Sequence, residues 1–282
     1  MRSTLLRLLR CPNGCDGLLT LDTNQTGPTP DEIETGLLTC NICSAAFRIE
    51  GGIPRMLPSA LQQDEPEDDE TRRKRSEMTA RDEQAGDYDR MWHLKLFGML
   101  EIPATLTGLH LTPESLLLEG GCGTGRMTSD FASRCQELVS VDFSWESLLS
   151  CQRKLNAAGI KNVHLMQADL CSLPLRTEMF DSVVSCQVLE HIPSADARSR
   201  AVGDLARVCK NRGHVVISAY QHSLFTRMFG EKEGEHAGGI YFFRFFREEF
   251  RALLAKHLKV DGITGALVYH FIGRCRKSED GN

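Results

Sequence analysis

Residues 116–128 read LLLEGGCGTGRMT, and this stretch decides the fold class of the chain. Its apolar beginning predicts a buried strand, its glycines predict a tight turn, and the residues that follow predict a helix at 128–135. Glycine allows positive φ and a close approach of ligand to backbone, and the first turn of a helix presents unpaired N–H groups. The stretch therefore predicts either a nucleotide-sized site or an ordinary tight loop between a strand and a helix.

A carboxylate stands near the end of each of the next two predicted strands. ELVSVDFS contains Asp142, some 20 residues beyond the glycine turn, and NVHLMQADL contains Asp169 followed by Leu170. At the tip of a parallel strand, Asp142 is placed to accept hydrogen bonds from two ribose hydroxyls. Asp169 can accept from the exocyclic amine of adenine, while the backbone N–H of Leu170 can donate to a ring nitrogen. The two acids therefore suit a ligand that contains adenosine.

The spacing of the glycines separates two classes of such ligands, since NAD and S-adenosylmethionine both carry an adenosine. A dinucleotide fingerprint requires G-x-G-x-x-G. Counting from Gly121 and Gly123 places Arg126 where the third glycine should stand. A pyrophosphate needs that close approach, whereas the adenosyl sulfonium has no phosphate. The spacing favours S-adenosylmethionine.

The sequence beyond these strands has the pattern of an open α/β sheet. FDSVVS at 180–185 predicts a fourth strand with Cys186 and Gln187 at its carboxyl end, where ligands of such sheets bind. A fifth strand is expected at 214–220, after a helix and a tight NRG turn. Two closing strands are expected within 261–278.

With these pieces in order, residues from about 85 to 275 resemble the class I S-adenosylmethionine-dependent methyltransferases. Glu119 and the glycines stand in the family's first motif, Asp142 and Asp169 stand at its ribose and adenine acids, and VLEHI follows the fourth strand. Glu119 replaces the family's more usual Asp and keeps the carboxylate. The resemblance implies an α/β fold with a doubly wound seven-stranded sheet, Rossmann-like, and S-adenosylmethionine as the cofactor.

The resemblance also implies which residues contact the cofactor. A helical segment ahead of the first strand resembles the family's lid helix, in which an aromatic residue covers the cofactor, and Tyr88 is the candidate. Alternatively, Tyr88 and Trp92 form an apolar helix face. Cys186 is expected to line the methionine moiety rather than act as a nucleophile. The expected cofactor-binding residues are Tyr88, Glu119, Gly121, Gly123, Gly125, Asp142, Phe143, Asp169, Leu170 and Cys186.

Four side chains are candidates for a catalytic base, and the sequence does not choose between them. A neutral imidazole at His191 can remove a proton from an attacking oxygen or nitrogen, although the family's Glu-His pair usually packs at the start of the next helix. His222, His236 and Tyr241 lie where insertions in this fold usually close over the substrate. Most phenylalanines of 242–250 are expected to seat the last helix on the sheet.

Four of the eleven cysteines form two close pairs near the start of the chain. Cys11-x3-Cys15 and Cys40-x2-Cys43 can place four thiolates around one Zn²⁺, with the intervening residues forming the strands of a ribbon. A redox pair and two disulfides are the alternatives. A redox pair normally has a βαβ context, and disulfides are disfavoured in the cytosol. The other seven cysteines are scattered through predicted strands, helices and the cofactor loop, as reduced buried thiols are.

Residues 5–58 resemble a known zinc-ribbon module. Leucines precede a CP-x-x-C turn, a second C-x-x-C follows, and the segment ends in GGIPRMLP. The module is similar to the ribbon of the small activator subunit of tRNA and protein methyltransferases, and a related ribbon is fused to bacterial rRNA guanine methyltransferases. The resemblance implies a structural zinc, because four protein thiolates leave no open position for a reacting water.

Composition describes an ordinary soluble globular protein. The chain has 282 residues, of which 41% are hydrophobic and 25% charged, and its net charge is -5. A surface that tracks a phosphate backbone usually carries a basic excess, so the charge argues against a protein of that kind. No stretch approaches 18 consecutive apolar residues, so we expect no membrane span and a cytoplasmic location.

We expect three parts: a zinc ribbon at 1–60, a charged linker at 61–80 and a methyltransferase domain at 81–282. In the linker a block of acids precedes the basic run 72–75. Such runs usually form a solvated linker or the exposed start of a helix. The alternative is that the basic run contacts a phosphate-bearing substrate.

The expected activity is S-adenosylmethionine-dependent methyl transfer to an oxygen, nitrogen or carbon. A small-molecule or lipid-like acceptor is favoured by the VLEHI form, by the acidic net charge and by the aromatic residues of 241–250, which are expected to lie near the substrate. An rRNA or tRNA base is favoured by the fused ribbon and the TRRKR run. A non-catalytic cofactor-binding scaffold is the third possibility, and the intact cofactor positions argue against it. No feature of the sequence indicates the oligomeric state.

Overall fold

A computed structural model describes residues 1–29, 31–63, 68–88, 92–223, 227–228, 230–236, 238–266 and 269–278, without the side chains of 87–88, 92–100 and 266. Within these residues no helix is both long enough and apolar enough to cross a membrane.

The first 60 residues form a small antiparallel sheet after a 3-10 helix, Ser3–Leu8. Its strands lie in chain order. They are β1 (Leu19–Thr26), β2 (Ile33–Cys40), β3 (Ala46–Glu50) and β4 (Ile53–Pro54). Phe47 and Ile49 alternate with exposed residues along β3 and are buried, as expected for a strand with one face against a core.

The described helices are α1 (Ser59–Gln62), α2 (Asp69–Tyr88), α3 (Trp92–Leu109), α4 (Thr128–Ala132), α5 (Trp145–Ala157), α6 (Ala195–Val208) and α7 (Arg247–Ala255). The further strands are β5 (Leu116–Gly120), β6 (Glu137–Asp142), β7 (Val163–Gln167), β8 (Phe180–Cys186), β9 (Cys209–Tyr220), β10 (Glu233–His236), β11 (Ile240–Phe243), β12 (Lys259–Ala266) and β13 (His270–Arg276).

Seven of these strands form one sheet in the order β7-β6-β5-β8-β9-β13-β12. The first five are mutually parallel, and β13 and β12 are antiparallel at the far edge. The central strands are apolar runs because helices cover both faces of a parallel sheet; Leu117, Val139 and Val183 have no exposed surface. The predicted doubly wound, seven-stranded, Rossmann-like sheet is confirmed.

The order in which the chain adds strands to this sheet changes side between β5 and β8, while the strands themselves stay parallel. After β5 the chain moves outward to β6 and β7, and it then returns to pair β8 with the other side of β5. The carboxyl ends of β5 and β8 therefore diverge into connections on opposite sides. A crevice at such a point is where open α/β sheets bind ligands.

The small sheet packs against the edge of the large one. Arg55 forms an isolated parallel β-bridge with Gln167 at the end of β7, and the N–H of Met56 donates to the carbonyl of Gln167 over 2.8 Å. Leu9, just after the Ser3–Leu8 helix, forms an isolated antiparallel β-bridge with Leu175, in the segment that follows β7. Leucines of the Ser3–Leu8 helix share one buried cluster with residues of the large sheet. The two sheets thus have a continuous core.

The structure differs locally from the sequence predictions. The helix expected at 128–135 ends at Ala132, and the NRG segment lies inside β9, with Arg212 in the left-handed region at φ 62°. The loop expected after the fifth strand contains the β10–β11 hairpin, whose Glu233–His236 strand has little intrinsic β propensity. Residues 69–80, expected as a solvated linker or the exposed start of a helix, begin the 20-residue helix α2.

Candidate active site

A cavity lies at the crevice between β5 and β8 and is roofed by helix α2. The glycine turn, the ends of β6, β7 and β8, and the loop after β8 form its walls. Nine of the ten residues expected to bind the cofactor have described side chains or backbone there, and eight of them line the cavity: Glu119, Gly121, Gly123, Asp142, Phe143, Asp169, Leu170 and Cys186. The ninth, Gly125, lies in the same turn. The side chain of Tyr88 lies outside the described residues.

The glycine turn requires glycine at its first position. Gly121 has φ 78°, and a Cβ there would stand 2.2 Å from Cγ2 of Val188. Gly125 has φ 83°, and its Cβ would stand 2.5 Å from the Sγ of Cys151 on α5. Because no side chain fits at either point, the turn packs closely against Val188 and Cys151. The N–H groups of Gly121 and Cys122 donate to the carbonyl of Val141, which holds the turn against β6.

Asp142 lies at the end of β6 and anchors the glycine turn. Its carboxylate accepts hydrogen bonds from the N–H of Gly123 at 2.7 Å and of Ser144 at 2.9 Å. Burial raises the pKa of Asp142, and the two backbone donors oppose that change. A carboxylate has about four acceptor positions, so two remain for a ligand.

Asp169 lies beyond β7 and also has two partners. One oxygen accepts from the N–H of Cys171 at 2.9 Å, which caps the 3-10 helix Leu170–Ser172. The other accepts from Nζ of Lys74 on α2 at 2.8 Å. Burial disfavours the charge of Lys74, but the attraction of Asp169 and Cys171 and the hydrogen bonds to Asp169 and Glu70 together outweigh it, so the pKa of Lys74 is raised. Lys74 thus fastens the roof helix to the acid expected at the adenine.

Glu119 has a structural set of partners. Its Oε2 accepts from the hydroxyls of Thr128 at 2.8 Å and Ser140 at 2.7 Å, which join α4 and β6 to β5. Burial is the main reason that the pKa of Glu119 is raised to about 7. Its other oxygen has no such partner within the described residues, so Glu119 combines a packing role with a place in the cavity wall.

Cys186 carries a neutral thiol. Burial raises its pKa above the ordinary range, and the negative charge of Glu101 acts in the same direction. A thiol in this state is a poor nucleophile. Its position in the wall is consistent with the expected lining role.

A buried network beneath the wall was not predicted from the sequence. Glu101 on α3 is 1% exposed and accepts from Arg126 at 3.1 Å, from the hydroxyl of Ser218 at 2.8 Å and from the side-chain amide of Gln187. Gln187 has φ 58°, an uncommon conformation for a residue with a side chain and one that concentrates at functional sites. The available signal was a lone acid in the apolar stretch LFGMLEIPATL.

Three of the four candidate bases come together, and one does not. Nδ1 of His191 is 2.7 Å from the carbonyl oxygen of Tyr241, and the rings of His191 and His236 are 6.3 Å apart. The hydroxyl of Tyr241 donates to Glu233. Of the four, only His191 lines the cavity; His236 and Tyr241 lie on the hairpin outside its wall. His222 lies elsewhere, with its ring edge-on to that of Phe246.

Helix α2 is held over the cavity by contacts at several points. Asp82 accepts from the hydroxyl of Ser144 at 2.6 Å, and Glu77 accepts from the N–H of Tyr241 at 3.2 Å. Between them, Arg81 lies in the cavity wall and pairs with Glu77 at 3.0 Å. This part of the helix was expected to be a lid, and its contacts among the described side chains are made by charged residues.

The four cysteines near the start of the chain form one cluster. The Sγ atoms of Cys11, Cys15, Cys40 and Cys43 all lie within 4.8 Å of one another. The N–H of Ile42 donates to the Sγ of Cys40 at 3.5 Å, and hydrogen bonds of this kind stabilise thiolates. An N–H donor at Ala45 lowers the pKa of Cys43 to about 6. The donor set fits a tetrahedral zinc site.

Comparison with known proteins agrees with this architecture. Residues 118–217 match a family model described as a methyltransferase domain. The chain is 33% identical over 119 residues to a phosphatidylethanolamine N-methyltransferase of Cereibacter sphaeroides, covering 42% of this chain and 57% of the relative. It is 27% identical over 121 residues to a probable tRNA methyltransferase 9B of Homo sapiens, covering 43% and 25% respectively. The chain thus spans about half or less of these relatives.

A solved structure extends the likeness in the fold beyond the matched segment. The 1,6-didemethyltoxoflavin-N1-methyltransferase of Burkholderia thailandensis, bound to its substrate and S-adenosylhomocysteine, superposes with a TM-score of 0.63 at 15% identity. The superposition covers 77% of this chain and 94% of that one. Residues 118–217 therefore match the methyltransferase-domain family model, and the large sheet around them has the same fold as this solved methyltransferase.

Proposed function

We propose that the protein is an S-adenosylmethionine-dependent methyltransferase whose cofactor binds in the cavity at the crevice. The observation that carries this proposal is the arrangement of Asp142, Asp169 and the glycine turn around one cavity. Each carboxylate uses two acceptor positions for the protein and keeps two for a ligand. Those positions suit the ribose hydroxyls at Asp142 and the adenine amine at Asp169.

The residues present fit the chemistry of this cofactor. Bound S-adenosylmethionine supplies an activated methyl group on a sulfonium, so the protein mainly aligns the acceptor and excludes water. Helix α2 lines the cavity through Lys74, Glu77 and Arg81, and the β10–β11 hairpin packs behind this wall, where the N–H of Tyr241 donates to Glu77. The neutral thiol of Cys186 and the network of Glu101 shape its inner end.

We further propose a small-molecule or lipid-like acceptor. Two acids contact Tyr241 of the β10–β11 hairpin: Glu77 accepts from its N–H, and Glu233 accepts from its hydroxyl. The net charge of -5 also argues against a surface that tracks the phosphates of a nucleic acid. Lys74, from the basic run once considered for phosphate contact, faces Asp169 instead. An rRNA or tRNA base is the alternative acceptor, supported by the fused ribbon and by likeness to a probable tRNA methyltransferase.

We propose a structural Zn²⁺ at the four-cysteine cluster. Four thiolates would complete a tetrahedral set, which leaves no position for a reacting water. The small sheet buries large side chains such as Leu38, Phe47 and Ile49, and metal binding at the cysteine turns would add to its folding free energy.

Transfer of labelled methyl groups tests this function. The zinc-containing protein is incubated with methyl-labelled S-adenosylmethionine and, in parallel, with a metabolite and lipid extract or with total RNA. We expect label in a small-molecule or lipid fraction and none in RNA. Label in RNA, together with a steep salt dependence of RNA binding, would establish the alternative acceptor. Binding of S-adenosylmethionine without transfer to either would support the scaffold role.

A further inference from the structure

One imidazole in the cavity wall has its tautomer fixed by the protein. Nδ1 of His191 lies 2.7 Å from the carbonyl oxygen of Tyr241. A carbonyl oxygen can only accept, so Nδ1 carries the hydrogen. Burial and the positive charge of Arg81 lower the pKa of His191 well below its ordinary value, so the ring is neutral. Its Nε2 therefore carries a lone pair.

The ring that carries this lone pair belongs to the cavity wall. His191 ends the 3-10 helix Leu189–His191, which begins three residues beyond β8, and it lines the cavity. The ring of Tyr220 meets it edge-on at 5.6 Å and fixes its plane. Among the described residues the hydrogen bond to Tyr241 is the ring's sole polar contact.

A second acceptor stands in the same wall. The side-chain amide nitrogen of Gln187 donates to the carboxylate of Glu101, which also accepts from Arg126 and Ser218. Because a carboxylate cannot donate, Gln187 must turn its nitrogen toward Glu101, and its amide oxygen is left for the cavity. Its left-handed backbone, held by a hydrogen bond from its N–H to the carbonyl of Ser218, keeps this orientation.

We propose that His191 is the proton acceptor of the methyl-transfer reaction and that the methyl acceptor is a small molecule with an acidic hydroxyl, such as a phenol or enol, or with a heteroaromatic N–H. This inference rests on the proposed function and specifies its substrate class. A group that donates to Nε2 of His191 or to the oxygen of Gln187 must carry a hydrogen on oxygen or nitrogen. An apolar carbon nucleophile offers neither donor.

Arg81 narrows the class further. Its guanidinium lies in the wall, and its positive charge helps to lower the pKa of His191 and of His236, which lies on the β10–β11 hairpin. A cation here makes an imidazolium costly, which weakens the base, and it stabilises an oxyanion on the substrate. Such a base suits an acidic O–H or N–H better than an aliphatic alcohol or amine.

Methyl transfer to such an acceptor is a displacement at the methyl carbon. The acceptor oxygen or nitrogen forms a bond to the methyl carbon while the bond from sulfur to that carbon breaks, and its electron pair stays on sulfur. The proton of the acceptor passes to Nε2 of His191 and then to solvent. The groups that contact His191 or act on its charge are Arg81 from α2, Tyr220 from β9, and His236 and the carbonyl of Tyr241 from the hairpin.

Nitrogen NMR of histidine-labelled protein bound to S-adenosylhomocysteine tests the tautomer without any acceptor. We use His191→Asn to assign the resonance, because the Asn amide can replace the Nδ1 donor to Tyr241 while offering no base at the Nε2 position. We expect a neutral ring protonated at Nδ1 at pH 7. A ring protonated at Nε2, or one charged at pH 7, would overturn the proposal.

The labelled product from the metabolite extract gives the second readout. We expect its methyl group on oxygen or ring nitrogen. His191→Asn should lower kcat by about 100-fold or more, as loss of a general base does, and should remove the rise of kcat with pH. Its affinity for S-adenosylhomocysteine should stay within about twofold of the wild type. His222→Asn, outside the wall, is the matched control.

Three results of this second readout would overturn the inference: a methyl group on carbon, a fully active His191→Asn variant, or an equal loss in His222→Asn. Failure of the proposed function is a different result, because the wild-type protein would then bind no S-adenosylhomocysteine in calorimetry.

Discussion

The hydroxyl of Ser172 donates to the carbonyl oxygen of Pro12 over 2.6 Å. Ser172 lies three residues beyond Asp169, and Pro12 lies inside the first cysteine pair. The turn expected to hold zinc is therefore attached directly to the segment expected to hold adenine. The N–H of Arg10 donates to the carbonyl of Pro174 over 3.0 Å and extends this contact. On the other side of Asp169, Met56 pairs with Gln167.

Removal of zinc should weaken cofactor binding, although the cysteines are outside the cavity wall. Without the metal the first cysteine turn loses its support, and the segment after Asp169 loses the backbone that fastens it. We expect chelated protein or a Cys40→Ser variant to bind S-adenosylhomocysteine at least about 10-fold more weakly by calorimetry, with zinc content measured in parallel. Cys275→Ala, a buried cysteine outside the cluster, is the control. Unchanged affinity in zinc-free protein would contradict this coupling.

The single contact between Ser172 and Pro12 can be tested with zinc still bound. Ser172→Ala removes one hydrogen bond, worth about 1 kcal/mol, which corresponds to roughly a fivefold change in an equilibrium constant. We expect up to that loss in affinity for S-adenosylhomocysteine with full zinc content. Ser133→Ala removes a hydroxyl that bonds only to the carbonyl of Asp130 at an exposed helix end, and it should have no effect. Equal affinities of the two variants would show that the contact is inert.

The pair of Lys74 and Asp169 should couple more strongly than an exposed ion pair. Their side chains are 16% and 11% exposed, and the nitrogen to oxygen distance is 2.8 Å. A double-mutant cycle of Lys74→Met and Asp169→Asn, followed by urea unfolding, should give a coupling free energy above about 1 kcal/mol. The exposed pair of Arg276 and Asp261 should give less than about 1 kcal/mol. A smaller coupling at Lys74 than at Arg276 would refute its role as the fastening of α2.

Sequence patterns predicted the residues whose function depends on backbone geometry. The glycine turn, Asp142 and Asp169 were identifiable because strand ends and turns have local signatures. Lys74 and Glu101 act through partners 95 and 117 residues away, at Asp169 and Ser218, and no local pattern fixes such pairs. The β10–β11 hairpin was missed for a related reason, since its strands are specified by packing against the loop after β8 rather than by propensity.

Glu190 should make stability depend on pH. It is fully buried, neither carboxylate oxygen has a partner among the described residues, and burial raises its pKa to about 8. The folded state holds this proton more tightly than the unfolded state, whose pKa is the ordinary 4.5. The contribution is therefore complete below the unfolded pKa and decreases as pH rises toward 8, by on the order of 1 kcal/mol per pH unit.

Glu190→Gln removes that ionisation and keeps the shape of the side chain. We expect the variant to unfold at a higher temperature than the wild type near pH 8 and at a similar temperature near pH 4.5, measured by calorimetry across that range. Glu114→Gln, at an exposed position, should leave the pH profile unchanged. A variant that is less stable at every pH would show instead that Glu190 is ionised and paired.

Calorimetric titration of S-adenosylhomocysteine into the zinc-containing protein tests the proposed cofactor site most directly. We expect one equivalent to bind. Asp142→Ala should weaken binding by about 10-fold or more, since hydrogen bonds to a charged group contribute about 1.5–3 kcal/mol, while Asp261→Ala, on the far edge strand, should bind normally. Absence of binding, equal binding by Asp142→Ala, or tighter binding of NAD than of S-adenosylhomocysteine would contradict the assignment.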